Sequence, residues 1–165
     1  MPKINNVHTI GQVAETKYIE LVGKNGPYTV IIPNDNTIPQ ITEGTQILSL
    51  SITPKKIGNK IRITSQIYIS ELTNIGDLIT CAIFKNSDAN AISSGSVQLA
   101  GLNTGNMYLS KEYTTTDLNL LTFSLRVGND IGNVTVNGVM TSIANDIRDL
   151  GNTVVTYLKL EEITQ

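Results

Sequence analysis

Thr45 to Ser70 reads TQILSLSITPKKIGNKIRITSQIYIS, and its two alternating runs decide the fold. In the first, Leu48, Leu50 and Ile52 share one face, with Ser49, Ser51 and Thr53 opposite. In the second, Ile61, Ile63, Ile67 and Ile69 share a face against Arg62, Thr64, Gln66, Tyr68 and Ser70. A period of two places alternate side chains on opposite sides of a strand, so each run reads as a half-buried wall. β-branched Ile and Thr suit such a surface. Pro54, Gly58 and Asn59 punctuate the polar link, and the pair is expected as a hairpin.

Further strands are expected over 77–85, 96–100, 107–113, 118–127, 133–139 and 153–163, each bounded by Gly, Asn, Asp or Ser. The 118–127 run adds Phe123 and Leu125 to the expected core. Such spacing leaves little room for crossover helices and predicts an all-β antiparallel sandwich. TSIANDIRDL (141–150) is the exception. Ile143, Ile147 and Leu150 fall at i, i+4 and i+7 between a capping Thr141 or Ser142 and a stopping Gly151, which predicts one or two helical turns.

Toward the N-terminus, KYIELV and YTVII flank Lys24-Asn25-Gly26-Pro27, and Asn-Gly predicts a tight turn joining them as a hairpin over 17–32. That hairpin is either the first strand pair of the sandwich or an attachment element. Residues 1–16 show no clear period and read as an ordered arm or a frayed end.

The chain of 165 residues suffices for one domain with a real core. Charged residues make up 16% and net charge is −2, which supplies no basic field for nucleic acid or an anionic membrane. A lone Cys81 excludes an intramolecular disulfide. The start, MPKINNVHTI, has no apolar core of signal-peptide length, so synthesis in a cytoplasm is expected.

Candidate chemistry is sparse. His8, in the irregular N-terminus, is the single histidine and Cys81 the single cysteine, so no zinc cluster can be assembled, no Ser-His-Asp set is read, and no metal or cofactor is expected. Cys81 shares a strand face with Ile79 and Ile83 and reads as a core thiol. Asp146 and Asp149, with Arg148 nearby, read as a solvated helix face. Asp88 and Asp130 occupy turn contexts in which Asp bonds its own backbone. GNDIGN (128–133) fits no phosphate loop, and Asn133-Val134-Thr135 matches a glycosylation sequon by letter only.

The motifs TIPQITEG (37–44), SITP (51–54), NKIRI (59–63), CAIFKNSDANAIS (81–93), LRVG with NVTVNG (125–128, 133–138) and TYLKLEEI (156–163) stand in order along the chain. Together they resemble the trimeric jelly-roll domain, similar to tumour necrosis factor and C1q heads, of phage fibre and head-fibre proteins. The helix-like 141–150 stretch departs from the plain loop of many relatives. The resemblance implies a jelly-roll domain over 35–165, preceded by an arm and hairpin over 1–34 that dock it to other virion proteins. It implies a structural, non-enzymatic virion protein: a head-fibre, decoration or tail-fibre subunit, assembled in the host cytoplasm. The lack of a long shaft repeat favours a capsid-bound position over a tail tip. A host-surface glycan-binding module is the alternative, though glycan sites usually need aromatic platforms and the chain has no Trp.

The closing strand predicts the partner. Val154, Leu158 and Leu160 lie on one face, and Val155, Tyr157 and Ile163 on the other. Apolar residues on both faces imply cover on both sides. In the resembled family this strand belongs to the inner sheet, whose outer face packs on neighbouring subunits. Leu158 and Leu160 then fill the core and Val155, Tyr157 and Ile163 meet the partners of a homotrimer, or the two sets exchange roles. The competing expectation is that the 141–150 segment covers this face within one chain.

Overall fold

The computed structural model describes residues 11–71, 77–99, 104–140, 147–148 and 153–165. The strands are β1 (Val13–Val22), β2 (Asn25–Tyr28), β3 (Thr45–Ile52), β4 (Lys60–Glu71), β5 (Leu78–Lys85) and β6 (Ser93–Gln98). They continue with β7 (Thr104–Thr114), β8 (Leu121–Asn129), β9 (Val134–Val136), β10 (Val139–Met140), β11 (Ile147–Arg148) and β12 (Val155–Ile163). Sheet I runs β1-β12-β4-β9-β2 with β7 on the other side of β4, and sheet II runs β3-β8-β5-β6. All described pairings are antiparallel.

The two sheets enclose one core. Sheet I supplies Ile61, Ile63, Ile67, Ile69, Leu158 and Leu160; sheet II supplies Leu48, Ile52, Ile79, Cys81, Ile83, Phe123 and Leu125. Leu50 is half-buried and packs against this core rather than within it. The expected hairpin over 45–70 does not form. β3 pairs with β8 while β4 pairs with β12 and β7, so the two runs stand in opposite sheets. Facing each other across the core, their apolar sides bury one another.

The 17–32 segment is not a hairpin either. β1 pairs along its length with β12, from Val13↔Ile163 to Val22↔Val155, and β2 pairs with β9. Ile32 explains the divergence. It is fully buried, donates its N–H to the Asn129 carbonyl, and occupies space that a Cβ on Gly44 or Gly128 would invade. That anchor draws residues 29–32 away from β1. β1 and β2 therefore belong to the same sheet as β4 and β12. Residues 13–16 are strand as well, and just ahead of them Gly11 donates to the Thr164 carbonyl and Thr164 to that of Gln12.

No helix occurs among the described residues, and the helical expectation over 141–150 is corrected where it can be checked. Ile147–Arg148 is a strand paired with Val139–Met140. A ten-residue segment with three β-branched isoleucine or threonine positions is too short to hold a helix by propensity alone. The rest of that segment, with Asp146 and Asp149, lies outside the described residues, as does His8.

The motifs 37–44 and 81–93 meet in space. Ile41 donates to the Ala89 carbonyl at 2.8 Å, Ala91 to that of Pro39 at 2.9 Å, and the Gln40 amide to Asn90 Oδ1 at 2.9 Å. Arg126, on the outer side of sheet II, donates to the carbonyls of Glu43 and Gly44 at 2.7 and 2.8 Å. This strap lies over the middle of the outer face of sheet II, while Ser49 on β3 and Ser94, Ser96 and Gln98 on β6 stay exposed. Accordingly Ala82 and Phe84, opposite in direction to core-facing Cys81 and Ile83, are also fully buried.

Candidate interaction face

Among the described residues sheet I has no such cover. On β4 the odd positions Ile61 to Ile69 point into the core, so the even positions point outward, and the register carries that parity across the sheet. One outward row runs Glu20, Tyr157, Gln66, Tyr108; its neighbours include Tyr18 beside Lys159, Tyr68 beside Asn106, and Val22 beside Val155. Four of the six tyrosines thus share one face.

The tyrosine half and the charged half of this face differ. Toward the lower end Arg62 lies between Glu161 and Glu112, donating to Glu112 at 3.0 Å; Lys60 reaches the same carboxylate at 3.1 Å, and Lys159 pairs with Glu161 at 3.0 Å. Hydrogen bonds from Arg62 and Lys60 hold the Glu112 carboxyl below its ordinary range. These charges find their partners within the chain. The upper half does not: Tyr18 is 49% exposed, Val22 55% and Tyr108 62%. Tyr18 and Tyr157 lean together with centroids 5.5 Å apart at 34°. The Tyr18 hydroxyl donates to Glu20 at 2.6 Å, and that bond, with burial and the carboxylate's charge, lifts its pKa to about 12. An open groove of about 400 Å³ runs between Tyr18, Tyr68 and Tyr157, edged by the amides of Gln66 and Asn106.

The expected partner-facing residues divide. Val155 and Tyr157 face outward, half-buried, while Leu158 and Leu160 are fully buried in the core. Ile163 is 6% exposed within the single chain, so little of its surface is left for a partner. Tyr18, Tyr68 and Tyr108 were missed in the sequence. Each sits at an alternating position, but only the register shows that they converge.

Elsewhere the chemistry stays structural. Cys81 is buried and free, and burial pushes its thiol up to about 12, away from the thiolate a nucleophile needs. Asp88 pairs with Lys85 at 3.0 Å, and Asp130 accepts the Leu78 N–H at 3.0 Å. Among the described residues no cluster of His, Cys, Asp and Glu could hold a metal, and no helix is long and apolar enough to cross a membrane.

No family model matches the chain, and no curated protein does. Among solved structures it is similar to the EclA C-terminal domain, a sugar-binding protein, at 16% identity over 85% of this chain and 86% of that one, with a TM-score of 0.34. A structure of infectious bursal disease virus, Gx strain, is 11% identical over 99% of this chain and 47% of the other, TM-score 0.39. The enzymatically active domain of bacteriophage CBA120 tailspike protein 4 is 10% identical over 89% of this chain and 20% of the other, TM-score 0.29. These likenesses are remote, and no residue's role is carried over from them.

Proposed function

We propose that this chain is a structural, non-catalytic protein of a phage particle surface, a head-fibre or decoration subunit whose jelly-roll body forms a homotrimer through the outer face of sheet I. One observation carries the reading: the strap over 33–44 lies over the middle of the outer face of sheet II, whereas sheet I leaves Tyr18, Tyr108 and Val22 about half exposed or more. A chain that lays its own backbone over one outer face and leaves a group of tyrosines with Val22 open on the other is suited to cover the second with copies of itself. The strand order supports the resemblance to the tumour necrosis factor and C1q heads, because the eight long strands divide as β1-β12-β4-β7 against β3-β8-β5-β6. Sedimentation at micromolar concentration tests it: a trimer is expected, which Tyr157→Asp splits, and a stable wild-type monomer would end the proposal.

The groove between Tyr18, Tyr68 and Tyr157, with Gln66 and Asn106 at its edge, favours a second reading as a host-glycan site. The two readings exclude each other, since a trimer on this face covers the groove. Binding on a glycan array by a monomeric protein would select the second.

A further inference from the structure

The groove on sheet I has an aromatic floor and amide edges: Tyr18, Tyr68 and Tyr157 line it, with Gln66 and Asn106 at the rim. Tyr108 shares the face but does not line the groove. At 62% it is the most exposed of the tyrosines. A buried phenol needs apolar contact for its ring and a hydrogen-bond partner for its hydroxyl. The groove offers three rings for the first and two side-chain amides for the second. One face therefore carries both a projecting phenol and a hollow suited to a phenol.

Their relative position decides what fills the hollow. Tyr157, Gln66 and Tyr108 stand in one cross-strand row, so Tyr108 is level with the groove. Tyr157 on β12 and Tyr108 on β7 are two strand spacings apart, roughly 10 Å. Projection and hollow are thus offset across the strands and not along them. A second copy, turned about an axis running along the strands, brings its own phenol to this groove without sliding. Rotation without a slide closes a ring, whereas a slide would build a filament. The charges lower on the face do not oppose the approach, because Lys60 and Arg62 pair with Glu112, and Lys159 with Glu161, inside one chain.

We propose that the partner's Tyr108 fills the groove between Tyr18, Tyr68 and Tyr157, with its hydroxyl bonded to the Gln66 or Asn106 amide. The inference rests on the trimer reading and names the contact that closes the ring. Each groove is incomplete in a lone chain, and each subunit gives one phenol and receives one. The contact is heterologous, since the giving and receiving patches lie on opposite sides of the same face.

The test uses the full-length protein with Tyr108 replaced by the photoreactive p-benzoylphenylalanine. Irradiated trimers should give covalent dimers and trimers, joined from position 108 to peptides carrying Tyr18, Gln66, Tyr68 or Tyr157. Links to the charged half around Arg62 and Glu112, links between two positions 108, or no link between chains of an intact trimer would overturn the contact. Each of these leaves the trimer reading standing. A wild-type protein that sediments as a monomer ends that reading and takes this inference with it. Should the bulky probe itself prevent assembly, sedimentation of two smaller variants decides. Tyr108→Phe still fills the groove and should stay trimeric, whereas Tyr108→Ala should need at least tenfold more protein to assemble. Equal assembly by the two variants would overturn the proposal.

Discussion

Thr156 donates its hydroxyl proton to Asn137 Oδ1 at 2.8 Å, and the contact lies where β4 changes partner. Below this point β4 pairs with β12, up to Gln66↔Tyr157; above it, with β9, from Ile69↔Val136. Tyr68 falls in the gap. Its N–H donates to Thr156 Oγ1 at 3.3 Å and its carbonyl accepts the Asn137 N–H at 3.0 Å, so neither backbone group is left bare. Asn137 can do this because it takes the left-handed conformation, φ 58°, which Asn tolerates better than most residues. Its amide also donates to the Leu21 carbonyl, tying β1 to the same junction.

Thr156→Val keeps the shape and removes the hydroxyl. Two partners, the part-buried Tyr68 N–H and the buried Asn137 Oδ1, lose a bond each, and an unsatisfied buried group costs about 1–3 kcal/mol. A loss of roughly 2–4 kcal/mol is expected, read as a lower urea midpoint at unchanged slope. A midpoint indistinguishable from wild type would show that the junction does not depend on this pair.

Gly128→Ala tests the strap anchor. The added Cβ would lie 2.7 Å from both the Ile32 nitrogen and its Cγ1 and 2.8 Å from the Val30 carbonyl, so backbone must move. Overpacking of this kind costs typically about 1–3 kcal/mol, and here it should also loosen the cover on Phe84. Amide exchange is expected to quicken along 30–44 before it does in sheet I. Uniform protection with normal stability would mean the strap is not held at Ile32.

How much of this was legible in the sequence follows from the range of each signal. The alternation of Ile61, Ile63, Ile67 and Ile69 is local, and all four are fully buried. The partner of β1 is not local: Val13 meets Ile163 across nearly the whole chain, and no short-range pattern reports it. Asn25-Gly26 looked like a turn because the pull of Ile32 toward Asn129 and Gly128 is a tertiary effect. The tyrosine face was hidden for the same reason. Tyr18, Tyr68, Tyr108 and Tyr157 come from four separate strands, and only pairing makes them neighbours.

Cys81 gives a pH-dependent prediction with a definite sign. Its thiol is raised from 9.0 to about 12 by burial, so the folded chain keeps a proton that the unfolded chain releases from about pH 9 upward. Its contribution is fully present below that pH and is lost as pH rises, so stability falls with alkali. The folded protein should resist a thiol-specific reagent at mildly alkaline pH and take up one label per chain in urea. Prompt labelling of the folded protein would show that the core opens around β5.

The last prediction concerns how copies meet if sheet I closes a trimer. In a ring each subunit presents two different patches, one to each neighbour. Sheet I offers two along its opposite sides: Tyr108 on β7, and Tyr18 with Tyr157 on β1 and β12. Within one chain β7 and β1 are three strand spacings apart, roughly 14 Å, too far for a disulfide, which needs Cα atoms within about 7 Å. Tyr18→Cys with Tyr108→Cys should therefore yield no internal bridge. On mild oxidation, covalent dimers and trimers are expected, while Cys81 stays buried and silent. Tyr108→Cys alone should give none, because a ring keeps like residues apart. Ready dimers from that single variant would mean a two-fold, face-to-face pair in place of a ring.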